Sequence, residues 1–114
     1  MIIMDYLKMV ASGITIITGI FSLVKPRSVQ DFTGLEITVP RGITEIRAVL
    51  GGLFIALGAA PLIYMSSDMY KMAGIGYLAV GLVRLVSIIV DKSYVRSNMI
   101  SLIFEVVLGL ILFI

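Results

Sequence analysis

Four long apolar runs, separated by shorter polar stretches, dominate the hydropathy pattern of the chain. They cover residues 3–24, 44–65, 69–90 and 97–114. A helix that crosses a bilayer needs about 20 residues, with a range of roughly 17–25, so each run is long enough to span. The runs lack the period-two alternation of membrane β-strands. They are therefore expected to be helices, because lipid offers no hydrogen-bond partners to the backbone.

The connections between the runs predict the order in which the helices pack. Residues 66–68 and 91–96 form the second and third connections, which are short enough to make successive helices antiparallel neighbours. The sequence thus predicts an all-α integral membrane protein, an up-down bundle of four transmembrane helices. We expect it to form one transmembrane domain over residues 1–114.

The first connection, residues 25–43, is long for a helical bundle. Four apolar residues alternate with polar ones inside it: Phe32, Leu35, Ile37 and Val39. We expect this loop to fold back at the membrane surface or over the mouths of the helices. The alternative, an irregular surface loop, stays open.

Composition supports the membrane assignment and excludes several kinds of chemistry. Of 114 residues, 60% are hydrophobic and 14% are charged, against about 25% charged in soluble domains, and the mean hydropathy is +1.13. The net charge of +2 is too small to indicate nucleic-acid binding. Cys and His are absent, which removes thiol chemistry and the commonest general base and metal ligand. We expect no metal site, no cofactor, no enzymatic activity and a retained first helix rather than a cleaved signal.

Basic residues predict the orientation. With an even number of spans, both termini lie on the same side. That side carries only Lys8 and Lys71, whereas the first and third connections carry Lys25, Arg27, Arg41, Lys92 and Arg96. The positive-inside rule places these two connections in the cytoplasm and both termini outside a multi-pass cell-membrane protein.

Four charged residues fall within or at the mouths of the apolar runs: Glu45, Arg47, Arg84 and Glu105. A charge at the bilayer centre costs about 2.5–3.5 kcal/mol on insertion scales, so such residues are expected to pair or to line a wet cavity. Arg84 and Glu105 are equally far from the middle of the third connection. In an antiparallel hairpin they would lie at one depth, roughly 15 Å along each helix, and form an ion pair.

Polar residues on the same helix faces extend this cluster. Ser87 follows Arg84, and Ser101 precedes Glu105 by four residues, so each shares a face with its charged neighbour. Thr18 lies at a comparable depth in the first run. The predicted intramembrane pocket comprises Glu45, Arg47, Arg84, Glu105, Ser87, Ser101 and Thr18.

A stripe of small residues runs down the second apolar run: Ala48, Gly52, Ala56 and Ala60. Small residues let helix backbones approach closely in lipid. We expect the stripe to pack within the chain, and a homodimer through the same face is the alternative.

A resemblance to a known family rests on three parts of the sequence: the run Thr44–Gly52, the segment Gly81–Leu85 with Asp91 beyond it, and Glu105. They resemble an uncharacterised family of small prokaryotic membrane proteins that is classed as a domain of unknown function. The family is similar in general shape to the DoxX-like four-helix group. The resemblance covers the chain from the first connection onward, and the first run matches only in hydropathy. It implies a four-helix bundle with inward-facing charges, and no established activity.

Four functions compete on the sequence. The first is a non-enzymatic membrane protein whose pocket binds a small amphiphile or lipid, or which assists a partner. The second is a small proton- or cation-coupled transporter that uses Glu105, and the third is a purely structural charge network. The fourth, an enzyme with Glu45 and Glu105 as acid and base, is disfavoured because nearby arginines hold carboxylates ionised.

Overall fold

The computed structural model describes residues 2–114, and these residues form helices joined by short connections. We number the helices α1 (Ile2–Val24), α2 (Pro26–Thr33), α3 (Pro40–Tyr64), α4 (Ser67–Val90) and α5 (Arg96–Phe113). Four of them, α1, α3, α4 and α5, are long and apolar enough to cross a membrane. The four predicted helices are therefore confirmed, and the largest shift is the start of α3 at Pro40 instead of residue 44.

Proline, glycine and serine set several of these boundaries. Pro26 and Pro40 open α2 and α3, at positions where the missing N–H of proline costs no helical hydrogen bond. Gly34 ends α2 with a φ of 79°, the left-handed conformation that favours glycine. At the start of α4, the hydroxyl of Ser66 accepts a hydrogen bond from the Met69 N–H at 3.4 Å.

The first connection contains more structure than the sequence predicts, because α2 occupies its first half. After Gly34, the Gln30 side-chain oxygen accepts a 2.6 Å hydrogen bond from the Ile37 N–H, which fastens the following stretch back onto α2. Leu35 and Val39 are exposed, so their side chains are not inserted among the helices. A location at the membrane surface stays a prediction.

Helix α3 changes its winding along its length. It starts as an α-helix over Pro40–Glu45, widens to a π-helix over Ile46–Leu53 and returns to an α-helix over Phe54–Tyr64. π-Helical turns are rare and are found frequently at functional sites. This wide stretch, which the hydrophobic pattern does not predict, begins one residue before Arg47.

The chain divides into two compact units: residues 2–8 with Ser66–Ile114, and Met9–Met65. In the first unit, α4 and α5 form a hairpin around glycines. A Cβ added at Gly74 would lie 2.7 Å from the Phe113 nitrogen and 2.8 Å from the Gly109 oxygen. A Cβ at Gly81 would lie 3.5 Å from the Glu105 Cβ. Early positions of α4 thus meet late positions of α5.

The second unit packs α1 against α3 in the same manner. A Cβ at Gly58 would lie 2.6 Å from the Ser12 carbonyl oxygen, and one at Gly19 would lie 2.7 Å from the Gly51 oxygen. Backbones that approach this closely are typical of helix pairs in membrane proteins, where small residues line the contact.

The glycines that make this contact are not those of the predicted stripe. Ala48, Gly52 and Ala56 are exposed, whereas Gly51 and Gly58 are buried. Ala60, the last residue of the stripe, is half-buried. Within the unit Met9–Met65, the expected packing through the stripe is therefore corrected, because Gly51 and Gly58 make the contact with α1. Residues seven apart stay close to one face of a helix, whereas a spacing of four drifts around it. A homodimer through the stripe stays a prediction.

We predict that Gly74→Ala destabilises the protein, because the new methyl group meets backbone atoms of α5 that have no rotamer through which to yield. Overpacking of this kind costs about 1–3 kcal/mol. Thermal unfolding in detergent, followed by size-exclusion chromatography, measures the loss. The matched control is Gly76→Ala, two residues along the same helix, where a Cβ has no neighbour within 4 Å. Equal stability of the two variants would contradict the close α4–α5 contact.

Candidate functional site

Arg84 of α4 and Glu105 of α5 form a two-pronged ion pair. The Arg84 Nε donates to Glu105 Oε1 at 2.7 Å, and Nη2 donates to Oε2 at 2.8 Å. The Glu105 side chain is 10% exposed and that of Arg84 is 31% exposed. Parallel N–H···O bonds of this kind fix the geometry of both partners and are about twice as strong as neutral hydrogen bonds. Arg84 and Glu105 are equally far along the chain from the turn, which predicts that they lie at one depth. The structure pairs these two residues.

Asn98 extends the pair toward the turn between α4 and α5. Its Oδ1 accepts a 2.8 Å hydrogen bond from Arg84 Nη1, and its Nδ2 donates to the carbonyl and the hydroxyl of Ser93, both at 3.1 Å. Asn98 is not among the site residues predicted from the sequence. Its signal is the spacing of seven from Glu105, which places both residues on one face of α5.

The remaining polar residues of the first unit have local roles. The Ser87 hydroxyl donates to Asp91 Oδ2 at 2.6 Å, one turn further along α4. Ser101 is half-buried in α5, one turn before Glu105. Of the predicted pocket residues, this unit thus contains Arg84, Ser87, Ser101 and Glu105.

A groove of about 490 Å³ opens beside Arg84 on this unit. Its apolar lining is Ala79, Val80 and Val83 of α4, and its polar lining is Arg84, Ser87 and Asn98. The Arg84 guanidinium has five N–H donors, of which three are used by Glu105 and Asn98. An apolar wall that ends in a cation with two remaining N–H groups suits an amphiphilic molecule.

The other predicted site residues belong to the second unit. Arg47 Nε donates to the Leu23 carbonyl oxygen at 3.0 Å, near the end of α1. The sequence does not predict this partner, because any residue type supplies a backbone carbonyl. Thr18 is exposed, and its hydroxyl donates to the Ile14 carbonyl at 2.9 Å.

Glu45 pairs with Arg41, the partner that a spacing of four residues along a helix predicts. Its Oε1 lies 3.3 Å from Arg41 Nη2, four residues earlier in α3. These side chains are 57% and 83% exposed, so this is a surface ion pair, unlike the contact between Arg84 and Glu105. That all seven predicted residues line one pocket stays a prediction.

The arrangement around Glu105 limits the chemistry available to it. Both carboxylate oxygens accept hydrogen bonds from Arg84, so the charge is matched within the protein. Both oxygens are occupied by guanidinium N–H groups, so neither is open to a substrate or to a transported ion. The geometry suits binding or structural pairing better than acid–base chemistry.

We predict that Glu105→Ala destabilises the protein by about 3 kcal/mol, the lower end of the range for breaking a buried ion pair, because it leaves the partly exposed Arg84 guanidinium without its counter-charge. The charge-swapped double variant, Arg84→Glu with Glu105→Arg, is expected to recover part of that loss. Thermal stability of the detergent-solubilised protein provides the measurement.

The exposed ion pair between Arg41 and Glu45 supplies the control for this experiment. Glu45→Ala removes an exposed partner, and exposed pairs contribute about 0–1 kcal/mol. If the double variant is as unstable as the singles, or if Glu45→Ala costs as much as Glu105→Ala, the Arg84–Glu105 contact is not what holds α4 to α5.

Comparison with known proteins identifies the family. Searches of curated proteins and of solved structures found no match, so the likeness to the DoxX-like group stays a prediction. A family model matches residues 3–114, nearly the whole chain, in agreement with the resemblance carried by Thr44–Gly52, Arg84 and Glu105. The chain therefore belongs to the family described as a domain of unknown function, DUF4345.

Proposed function

We propose that this is a non-enzymatic, multi-pass membrane protein that binds a small amphiphile in the groove beside Arg84. The observation that supports this best is the lining of the groove, where three apolar residues of α4 lead to an arginine with two uncommitted N–H donors. The proposal has two parts, insertion into a membrane and binding of a ligand.

The surface of the helices supports membrane insertion. Large apolar side chains are exposed along all four long helices, among them Ile17 at 66%, Val83 at 68% and Ile103 at 61%. A water-soluble monomer rarely exposes contiguous apolar patches larger than a few hundred Å². In a bilayer, lipid acyl chains would cover this apolar surface and keep it from water. The backbone N–H and C=O groups would be satisfied by the hydrogen bonds inside each helix.

In the proposed arrangement, α1, α3, α4 and α5 form an antiparallel bundle in the cell membrane. Both termini lie outside, and the connections after α1 and α4 lie in the cytoplasm. The uneven distribution of lysine and arginine supports this orientation. The short helix α2 would then lie at the cytoplasmic surface.

The polar end of the groove would supply the selectivity for a ligand. Within a bilayer, an acyl chain gains little by leaving lipid for an apolar groove, because both surroundings are hydrocarbon. A head group that accepts hydrogen bonds from Arg84 would gain more, since bonds to a charged donor are stronger than neutral ones. We therefore propose a ligand with an acceptor-rich head and a single acyl chain along Val80 and Val83.

Three alternatives have less support. A transporter that uses Glu105 is less well supported, because both oxygens of that carboxylate are held by Arg84. A purely structural charge network would leave the groove without a specific occupant. An enzyme with Glu45 and Glu105 as acid and base has the least support, since Glu45 lies in an exposed pair with Arg41.

We predict that protein extracted gently from membranes carries a small-molecule adduct in native mass spectrometry, and that Ala79→Phe reduces its occupancy about fivefold. The phenyl ring would fill the apolar part of the groove, and steric conflict of this kind costs about 1 kcal/mol or more. The control is Leu82→Phe, an exposed position on α4 that does not line the groove. Absence of an adduct in several mild detergents, or equal loss in both variants, would support the structural alternative instead.

We also predict that proteoliposomes under a pH gradient show no proton flux that depends on Glu105. Flux through the wild-type protein that disappears in Glu105→Gln would overturn the binding proposal in favour of the transporter. The Gln side chain keeps the size of Glu and removes its charge, and variants are compared at equal amounts of reconstituted protein.

A further inference from the structure

A second concave surface, within the unit Met9–Met65, is lined by three basic side chains. It has a volume of about 350 Å³ and lies where the end of α1, the start of α2 and the first turns of α3 meet. Lys25, Arg27 and Arg47 line it together with Ser28, and Val24 and Ile43 supply apolar contacts. None of the lining residues is acidic. This basic pocket is separate from the groove beside Arg84 and does not depend on the function proposed for that groove.

Arg47 is anchored through one nitrogen of its guanidinium, and its other two nitrogens are available to a ligand. Its Nε is committed to the Leu23 carbonyl at 3.0 Å, which anchors the guanidinium at the end of α1. Within residues 2–114, the structure gives Nη1 and Nη2 no hydrogen bond or ion pair. The nearest acid in sequence, Glu45, is engaged by Arg41. A guanidinium anchored at one nitrogen is well suited to bind two oxygens of an anion with the others.

The other cations lack a matching negative charge in the pocket. Lys25 and Arg27 flank Pro26 at the start of α2, and no side chain caps this helix terminus. Three like charges around one small concavity repel one another, and an anion placed among them removes that repulsion. The partial positive charge at the start of α2 adds to the attraction but would not suffice alone.

We propose that this basic pocket binds the phosphate group of an anionic ligand. A phosphate offers several charged oxygens, which matches two guanidinium groups, an ammonium group and the Ser28 hydroxyl. The ligand is either an anionic phospholipid, whose glycerol region would contact Val24 and Ile43, or free phosphate. Arg47 is the second residue of the π-helical stretch Ile46–Leu53 and comes directly before the uncharged remainder of α3.

The test is a titration of the full-length protein in dodecyl maltoside, at fixed ionic strength, with binding followed by native mass spectrometry. The probes are dioctanoyl phosphatidic acid, dioctanoyl phosphatidylcholine and inorganic phosphate. We expect phosphatidic acid to bind, and Arg47→Gln to weaken its binding about tenfold, the loss typical of a hydrogen-bonded charged contact. The lipid source is supported if phosphate alone does not bind, and the free-anion source is supported if it binds as tightly as the lipid.

Two further variants protect the test against a simple loss of folding. Lys25→Gln with Arg27→Gln changes two exposed side chains and is expected to weaken binding about tenfold without disturbing the contact between Arg47 and Leu23. Arg96→Gln removes the same charge from an exposed residue outside the pocket, leaves the Arg41–Glu45 pair intact and is expected to bind as the wild type does. Equal binding of phosphatidylcholine, no binding of either phosphate probe, or equal losses for Arg96→Gln and Arg47→Gln would overturn the proposal.

Discussion

The contact between Arg84 and Glu105 fixes the register of α4 against α5. Its two parallel hydrogen bonds tolerate little sliding of one helix along the other, because a shift of one residue, about 1.5 Å, would break both. Removing either residue leaves the other charge without compensation in largely apolar surroundings, whereas replacing both with hydrocarbon need not destabilise the fold. The pair is thus better understood as a source of specificity than as a source of stability.

The rest of the hairpin accommodates this pair. Near Gly74 the backbones of α4 and α5 are in such close contact that no side chain fits between them. At Gly81 an added Cβ would make an ordinary contact of 3.5 Å, so the helices leave more room on the side of the turn. That room holds the Arg84 side chain, and Asn98 ties it to Ser93 in the turn itself. Glycine spacing and charge placement therefore support the same geometry.

Much of this was predictable because hydrophobic pattern and helix geometry are local properties. Run lengths predict the four long helices, and equal distance from a turn predicts the pairing of Arg84 with Glu105. Helix α2 is not predicted because its eight residues make only about two turns inside a connection expected to be a loop. Asn98 was missed because an amide in a first helical turn looks like an ordinary solvated residue. The carbonyl that binds Arg47 carries no signature in the sequence, and neither does the choice of Gly51 over Gly52 as the buried glycine.

The π-helical stretch of α3 has a consequence for how this helix tolerates length changes. A π-helical turn is equivalent to an α-helix that has gained a residue, and each residue of an α-helix accounts for about 100° of rotation. Deleting one residue within Ile46–Leu53 would therefore tighten the backbone instead of breaking it. Because the wide turn already absorbs the extra residue, the parts of α3 on either side, with Arg47 and Gly58, would stay close to their present orientation. This stretch is therefore the part of α3 where the loss of one residue would disturb the contacts at its two ends least.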